Sequence, residues 1–199
     1  MTAPAAPDAL RGDDGLSRCA WGNTAPDYAE YHDAEWGVPL RGEAALFERL
    51  SLEAFQSGLS WLVILRKRPA FRRAFVDFRP ERIAEFTDAD VERLLTDSGI
   101  VRNRAKIRAT IANARAVAGL DQPLDELLWS FAPPAAGRAR PRTMADVPAV
   151  TPESTVMAKA LKKRGFVFVG PTTCYALMQA TGMVDDHVEG CWRAGVTGR

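Results

Sequence analysis

The chain has 199 residues, of which 47% are hydrophobic and 26% charged, and its formal net charge is +1. This length and apolar content suffice for one well-formed core, and they exclude a chain that is disordered throughout. No run of about 20 apolar residues offers a membrane-spanning helix, and the first residues show no secretory signal. Three cysteines without a secretory context favour a reducing compartment over a disulfide framework. We therefore predict a cytoplasmic protein without membrane contact, and we expect a monomer.

Helical patterns dominate the chain, and almost no stretch alternates apolar and polar residues as a half-buried strand does. We predict an all-α domain over residues 17–192, folded as two lobes around a cleft. Residues 1–16 are predicted to be a flexible tail because they are rich in Ala, Pro, Asp and Gly, and residues 193–199 are predicted to be a C-terminal tail.

Two cysteines and both histidines of the chain form two pairs at opposite ends of this domain. Cys19 precedes His32 by thirteen residues, and His187 precedes Cys191 by four, a spacing that would put the second pair on one face of a helical turn. Two cysteines and two histidines are the usual make-up of a closed structural zinc site. The alternative is four unrelated core or surface residues, and the spacing alone leaves both interpretations open.

The segment between Cys19 and Val38 is dense in aromatic residues but also contains many Gly, Pro and Asp, so we predict a loop. Aromatic rings are usually part of the core, whereas rings presented from loops often stack on flat ligands. The four rings are Trp21, Tyr28, Tyr31 and Trp36, and we expect Trp36 in the core.

The first amphipathic helix is predicted over Ala44–Gln56, with leucine and phenylalanine side chains on one face and Glu43, Glu48 and Arg49 opposite. Glu53 lies near the end of this helix, just before a glycine loop and Trp61. It is either a solvated carboxylate, which is the commoner case, or a residue of a pocket.

Proline is expected to interrupt the next helix, which should begin at Trp61 and end in the basic turn before Pro69, with a separate helical segment over Ala70–Phe75. The later helices are predicted to end at Ser98, to run over Asn103–Ala118 and Leu124–Phe131, and to begin at Thr151-Pro152.

A helix–loop–helix motif is predicted in the C-terminal third. Gly165 ends its first helix, and Gly170-Pro171 begins its second. The free N–H groups at such a helix N-terminus can bind a phosphate, and the basic residues 162–164 lie beside it. The alternative is an ordinary helical hairpin with a solvated basic face. The residues predicted to contact phosphate are Lys163, Gly165, Gly170, Thr172 and Thr173.

The chain resembles the 3-methyladenine DNA glycosylase I family, a zinc-containing branch of the helix-hairpin-helix DNA glycosylases, in YHDAEWGVP, LEAFQSGLSW, SGIVRNRAKI, ALKKRGFVFVGPTTCYALMQATG and DDHVEGC. The resemblance runs from about Arg18 to Cys191. It implies the fold of that superfamily, with one structural zinc ion joining the two ends of the domain through Cys19, His32, His187 and Cys191. The implied base pocket consists of Glu53, Trp21, Tyr28, Tyr31 and Trp61. A departure is Ala54-Phe55, where the family often has another glycine and glutamine.

The resemblance implies an enzyme of base-excision repair that hydrolyses the N-glycosidic bond of 3-methyladenine in alkylated double-stranded DNA. Adenine methylated at N3 is cationic and already a good leaving group, so the site must chiefly extrude and recognise it. We expect aromatic faces to stack on the cation and Glu53 to supply the counter-charge. Water is the expected nucleophile, because no lysine follows Pro171 for lyase chemistry.

Three further expectations concern neighbouring residues. Asp186 adjoins His187 and is expected to support the metal site or cap a turn rather than act in catalysis. Gly58-Leu59 is expected to fill the gap left by the extruded base. The alternative function is a non-catalytic, zinc-stabilised DNA-binding module, which would gain nothing from a buried Glu53 carboxylate.

Overall fold

The all-α prediction is confirmed by the structure, a computed structural model that describes residues 8–134 and 138–196. Within these ranges none of the helices combines the length and apolar character that crossing a membrane would take. Residues 1–7 and 197–199 of the predicted tails lie outside the described part. The helices are α1 (Pro26–Ala34), α2 (Glu43–Gln56), α3 (Trp61–Ala74), α4 (Pro80–Ile83), α5 (Asp88–Thr96), α6 (Arg104–Ala118), α7 (Leu124–Trp129), α8 (Pro152–Lys163) and α9 (Pro171–Ala180).

Helix α2 is the centre of the fold and contacts α3, α6, α7 and α9. Its phenylalanine Phe55 is fully buried, with its ring centroid 4.7 Å from that of Phe71 in α3. The departure from the family pattern at this position therefore falls in the core. Two charged residues of α2, Arg49 and Glu53, are also buried. The prediction that Arg49 lies opposite the buried face of the helix is wrong.

A helix replaces the loop that was predicted between Cys19 and Val38. Helix α1 begins with Pro26, whose missing N–H would have no partner in the first turn of a helix anyway. The helix has little amphipathic character, because its buried residues are Tyr31 and His32, which both carry polar groups. Hydrophobic periodicity therefore could not reveal it.

Helix α3 runs through Pro69 without the predicted break. An interior proline costs about 3 kcal/mol because it removes one backbone hydrogen bond and crowds the preceding turn. Ile64 before the proline and Phe71 after it are both fully buried. Burying two such side chains contributes about 1.5–3 kcal/mol each, which is enough to keep the helix continuous.

Two strands of three residues each form the described sheet, in which β1 (Ala9–Arg11) pairs antiparallel with β2 (Ser17–Cys19). They are too short to show a period of two in the sequence. Strand β1 belongs to the predicted N-terminal tail, and its pairing, with Ala9 opposite Cys19, holds this part of the tail against the domain.

The chain after α9 turns back toward the N-terminal segment at Gly182. Its φ is +70°, and a Cβ atom there would lie 2.6 Å from the backbone nitrogen of Pro39, so only glycine fits. The turn brings residues 183–191 beside β2 and α1, where the two cysteine and histidine pairs meet.

Candidate active site and metal cluster

Four side chains from the two ends of the domain meet in one buried cluster that could hold a metal ion. The sulfur atoms of Cys19 and Cys191 and one ring nitrogen each of His32 and His187 all lie within 4.8 Å of one another. The distance from Cys191 Sγ is 3.4 Å to His32 Nε2 and 3.5 Å to His187 Nδ1. That from Cys19 Sγ to His187 Nδ1 is 3.7 Å.

The three sulfur–nitrogen distances of 3.4, 3.5 and 3.7 Å match a tetrahedral site. Zn–S bonds of about 2.3 Å and Zn–N bonds of about 2.0 Å at tetrahedral angles separate a sulfur from a nitrogen ligand by about 3.5 Å. Hydrogen bonding from Cys19, and then from His187 and His32, lowers the pKa of Cys191. The donor set and its spacing therefore fit a zinc ion.

Each histidine is held through the ring nitrogen that points away from the cluster. His32 Nδ1 lies 2.8 Å from Asp33 Oδ1, and the Asp33 carboxylate is held in turn by Arg18 at 2.9 Å. His187 Nε2 lies 3.3 Å from the carbonyl oxygen of Trp36. Such outer contacts fix the tautomer and the ring orientation of a metal-binding histidine.

The prediction that His187 and Cys191 share a helical turn is wrong, because residues 183–191 contain no helix. The two residues are brought together by an irregular turn in which Cys191 N–H donates to the carbonyl of Val188. The spacing of four residues therefore identified two residues that do lie together in the cluster, although the local structure between them is not a helix.

A pocket of about 210 Å³ opens beside the metal cluster. It is smaller than pockets for drug-sized molecules, which begin at about 300 Å³. All five residues that were predicted to form a base pocket line it. The other lining residues are Trp36, Gln56, Met144, Ala176 and Gln179. The predicted members are Trp21, Tyr28, Tyr31, Glu53 and Trp61.

Aromatic rings form one wall of this pocket and separate it from the metal cluster. Trp21 stands edge-on to Tyr28 and to Trp36, with ring centroids 5.4 Å and 5.1 Å apart. Trp36 also packs edge-on against the ring of His187 at 4.6 Å. The position of the aromatic wall therefore depends on the same segments that form the metal cluster.

The carboxylate of Glu53 is the acidic group of the pocket. The residue is only 6% exposed, and no donor among the described residues hydrogen-bonds to its carboxylate. Burial raises its pKa to about 7, while the Arg49 cation opposes part of this shift. The Nε1–H group of Trp61 is likewise buried without a partner within the described chain. Buried polar groups normally have partners, so both groups are free to bind a polar ligand.

Arg49, one helical turn before Glu53, lies behind the pocket. It donates to the Tyr31 hydroxyl at 2.8 Å and to Glu35 at 3.1 Å, and its guanidinium lies 5.4 Å from the ring centroid of Trp61. This buried cation fixes Tyr31 and places a positive charge near the Glu53 carboxylate. The sequence pattern could not reveal this role, because it gave no sign that Glu35 would be close to Arg49.

Asp186 does not contact a ring of the metal cluster. Its carboxylate accepts hydrogen bonds from Tyr175 at 2.6 Å, from Gln179 Nε2 at 2.8 Å and from Arg138 at 2.5 Å. Because three donors already engage it, the carboxylate is not free to act as a base. The bond to Gln179 leaves the Oε1 atom of that pocket residue as an acceptor without a partner among the described residues.

The predicted helix–loop–helix is present as α8, a loop over residues 164–170, and α9. Gly165, with a φ of +88°, ends α8. Its N–H bonds the carbonyl of Lys162, and the N–H of Phe166 bonds that of Leu161, which is the Schellman pattern. The amide of Gly165 is therefore already used within the hairpin.

The N-terminus of α9 remains open. No acceptor in the described part of the chain contacts the amide N–H groups of Thr172 and Thr173, and a Cβ on Gly170 would meet no atom within 4 Å. Lys163, the last residue of α8, is exposed. A groove of about 290 Å³ connects this helix end with the pocket, because Thr172, Thr173 and Glu53 all line it. An anion at α9 and a ring in the pocket could thus belong to one bound molecule.

Comparison with known proteins agrees with this geometry. DNA-3-methyladenine glycosylase 1 of Escherichia coli (strain K12) is 46% identical to this chain over 179 residues, which cover 88% of the chain and 96% of that protein. A crystal structure of 3-methyladenine DNA glycosylase I, 45% identical, superposes with a TM-score of 0.84 over 89% of this chain and 99% of its own. The structure of a variant of 3-methyladenine DNA glycosylase I in complex with 3-methyladenine is 36% identical to this chain. It superposes with a TM-score of 0.82 over 88% of this chain and 96% of its own.

The family model of methyladenine glycosylases matches residues 21–194, a range that includes the whole aromatic pocket, the hairpin and three of the four clustered metal-ligand candidates. The chain belongs to the methyladenine glycosylase family.

Proposed function

We propose that this protein is a DNA glycosylase of base-excision repair that hydrolyses the N-glycosidic bond of 3-methyladenine in alkylated double-stranded DNA. The observation that carries this proposal is the buried carboxylate of Glu53. It lines an aromatic pocket, and no donor among the described residues hydrogen-bonds to it. Without a ligand, the carboxylate of Glu53 has no hydrogen-bond donor among the described residues. The pocket suits a flat cation that carries N–H donors.

The properties of 3-methyladenine match this requirement. The ring stacks on electron-rich aromatic faces, where a cation gains about 0.5–2 kcal/mol per contact. Its exocyclic amine can donate to Glu53, and Gln179 offers a further acceptor. Normal adenine has the amine but lacks the charge. The proposed base contacts are Glu53, Trp21, Tyr28, Tyr31 and Trp61.

The reaction then needs little acid catalysis. The bond between the base nitrogen and the sugar C1′ breaks, and the electron pair leaves with the base, which becomes neutral free 3-methyladenine. Water adds to C1′ and loses a proton to solvent. Glu53 binds and orients the cationic base, so it is the proposed catalytic residue. We propose a monofunctional enzyme, because no lysine follows Pro171.

The hairpin is proposed to hold the DNA backbone. The open amides of Thr172 and Thr173 and the positive end of the α9 dipole favour a phosphate, and Lys163 adds charge. Gly170 allows a close approach, and Gly165 shapes the turn. Across the groove, Leu59 is 41% exposed, and Gly58-Leu59 is the proposed filler of the gap left by the base. A single chain supplies every proposed contact, so a monomer suffices.

The metal cluster is proposed to bind one structural zinc ion. Four protein ligands close a tetrahedral shell and leave no position for a catalytic water. Its ligands Cys19, His32, His187 and Cys191 would join the ends of the domain behind the aromatic wall. The three cysteines are buried and form no disulfide, which fits the proposed cytoplasmic location.

The alternative, a non-catalytic DNA-binding module, is not favoured. A surface that binds phosphates gains nothing from a buried, unpaired carboxylate. The deciding experiment incubates the purified protein with DNA methylated by an alkylating agent and analyses the released bases by chromatography. Release of free 3-methyladenine is expected. Tight DNA binding without any base release would favour the alternative.

A further inference from the structure

The stretch SGIVRNRAKI contains a buried lysine that neither the pocket nor the hairpin uses. Lys106 on α6 is 8% exposed. Its ammonium donates to the carbonyl oxygens of Phe55 at 2.8 Å and Ser57 at 2.6 Å, and no carboxylate pairs with it in the described part of the chain. Burial lowers the pKa of Lys106. Burying an ammonium group is costly, even at the negative end of the α2 dipole.

The same helix holds the hairpin through a second buried polar residue. Asn113 is 1% exposed, and its Nδ2 donates to the carbonyl of Val167 at 3.1 Å. The N–H of Val167 donates back to Asn113 Oδ1 at 2.8 Å. The two bonds fix the backbone of Val167 in the loop between α8 and α9.

Lys106 and Asn113 are seven residues apart, so they lie on the same face of α6, about 10 Å apart along its axis. Lys106 holds the segment Gln56–Leu59, which forms one wall of the groove. Asn113 holds the loop that leads into Thr172 and Thr173 on the other wall. One rigid helix therefore connects the two walls.

We propose that Lys106 and Asn113 are positioning residues that set the separation between the segment Gln56–Leu59 and the hairpin loop, and thereby the efficiency of base extrusion from duplex DNA. This inference rests on the proposed function. If the hairpin holds a phosphate while the pocket receives the base, the distance between the two walls decides whether the nucleotide can reach both. Loss of either residue lets one wall shift. The pocket itself keeps its aromatic lining.

The test uses full-length Lys106→Met, Asn113→Leu and the double variant. Arg108→Met is the matched control, because Arg108 is an exposed cation of α6 that pairs with Asp88. Two quantities are measured: single-turnover excision of 3-methyladenine from a duplex at saturating enzyme, and binding of free 3-methyladenine.

Each single substitution should slow duplex excision about ten- to hundredfold, the range that a displacement of about 1 Å produces. Binding of the free base should stay unchanged, and Arg108→Met should behave as wild type. The double variant should be little slower than the slower single variant, because the loss of either side chain already frees the two walls to change their separation.

Wild-type excision rates in both single variants would overturn the inference, as would a parallel loss of free-base binding, which would make these residues mere supports of the pocket. If the reductions in excision rate caused by the two substitutions multiplied fully in the double variant, the two residues would act independently rather than through one separation between the walls. If Lys106→Met does not fold, Asn113→Leu decides alone, since its contacts lie outside α2. Failure of the wild-type protein to release any base would instead refute the proposed function.

Discussion

Replacing Glu53 by glutamine should weaken the reaction and also remove a pH-dependent destabilisation of the folded protein. The substitution keeps the shape of the side chain, removes the counter-charge and turns one acceptor into a donor that faces an amine. A charge-assisted hydrogen bond is worth about 1.5–3 kcal/mol, so excision should fall by about one to two orders of magnitude.

The stability effect follows from the raised pKa of Glu53, which is about 7 in the folded protein against 4.5 for an ordinary glutamate. Below pH 4.5 the group is neutral in both states and costs nothing. Between pH 4.5 and pH 7 the carboxyl group is ionised and hydrated in the unfolded chain but still protonated in the folded protein, so stability is lost across this range and the loss levels off above pH 7. The penalty reaches about 3 kcal/mol at pH 8 and is about 1 kcal/mol at pH 5.5.

The assay is urea unfolding of wild type and Glu53→Gln at pH 8 and pH 5.5. The glutamine amide also lacks a partner in the pocket, which costs a similar amount at both pH values. The difference in unfolding free energy between variant and wild type should therefore be more favourable at pH 8 by about 2 kcal/mol. Effects of pH on the metal cluster are common to both proteins and cancel.

Two results would refute this reasoning. Single-turnover excision at the wild-type rate would remove Glu53 from the mechanism. An unfolding difference that does not change between pH 5.5 and pH 8 would show that the carboxylate is not ionised against a burial penalty. Loss of activity without the pH-dependent stabilisation would mean that the carboxylate is better solvated than its 6% exposure indicates.

Excision by the wild type at low substrate concentration should decrease as the pH falls below about 7, because protonated Glu53 no longer balances the base; a flat profile from pH 5.5 to 8 would contradict this. Protein purified without chelator should contain one zinc ion per chain by metal analysis, and His32→Ala should lower the unfolding temperature; protein without zinc would exclude the assignment. Gly170→Val should fold normally, because a Cβ meets nothing within 4 Å, yet weaken binding of damaged and undamaged duplex alike. An effect on damaged DNA alone would move Gly170 from the phosphate site to the pocket.

Local patterns in the sequence predicted most helices, whereas the composition of the site was expected from the resemblance to the family. Helix α2 was readable from its apolar periodicity, and Gly165 marked the end of α8 through the Schellman turn that it forms. Cys19, His32, His187 and Cys191 are the residue types of a structural zinc site. Their spacing left four unrelated residues as an alternative, and the resemblance to the family favoured the metal site.

Helix α1 and the continuous helix α3 were decided by tertiary contacts. The first has little amphipathic character, and the second contains Pro69, so local rules predicted a loop and a break. Packing of Ile64 and Phe71 into the core outweighs the cost of the proline. The sequence of a helix does not show which other parts of the protein will pack against it.

The electrostatics of the site also depend on the tertiary structure. Arg49, Glu53 and Lys106 are charged residues, which in most sequences remain solvated. Here each is buried with a different set of partners: Arg49 lies against Tyr31 and Trp61, and Lys106 donates to carbonyl oxygens at the end of α2. The sequence by itself determined which groups are available for the chemistry. Only the packing of the helices decided which of those groups lose water, and the loss of water is what raises the pKa of Glu53 and keeps its carboxylate free for a ligand.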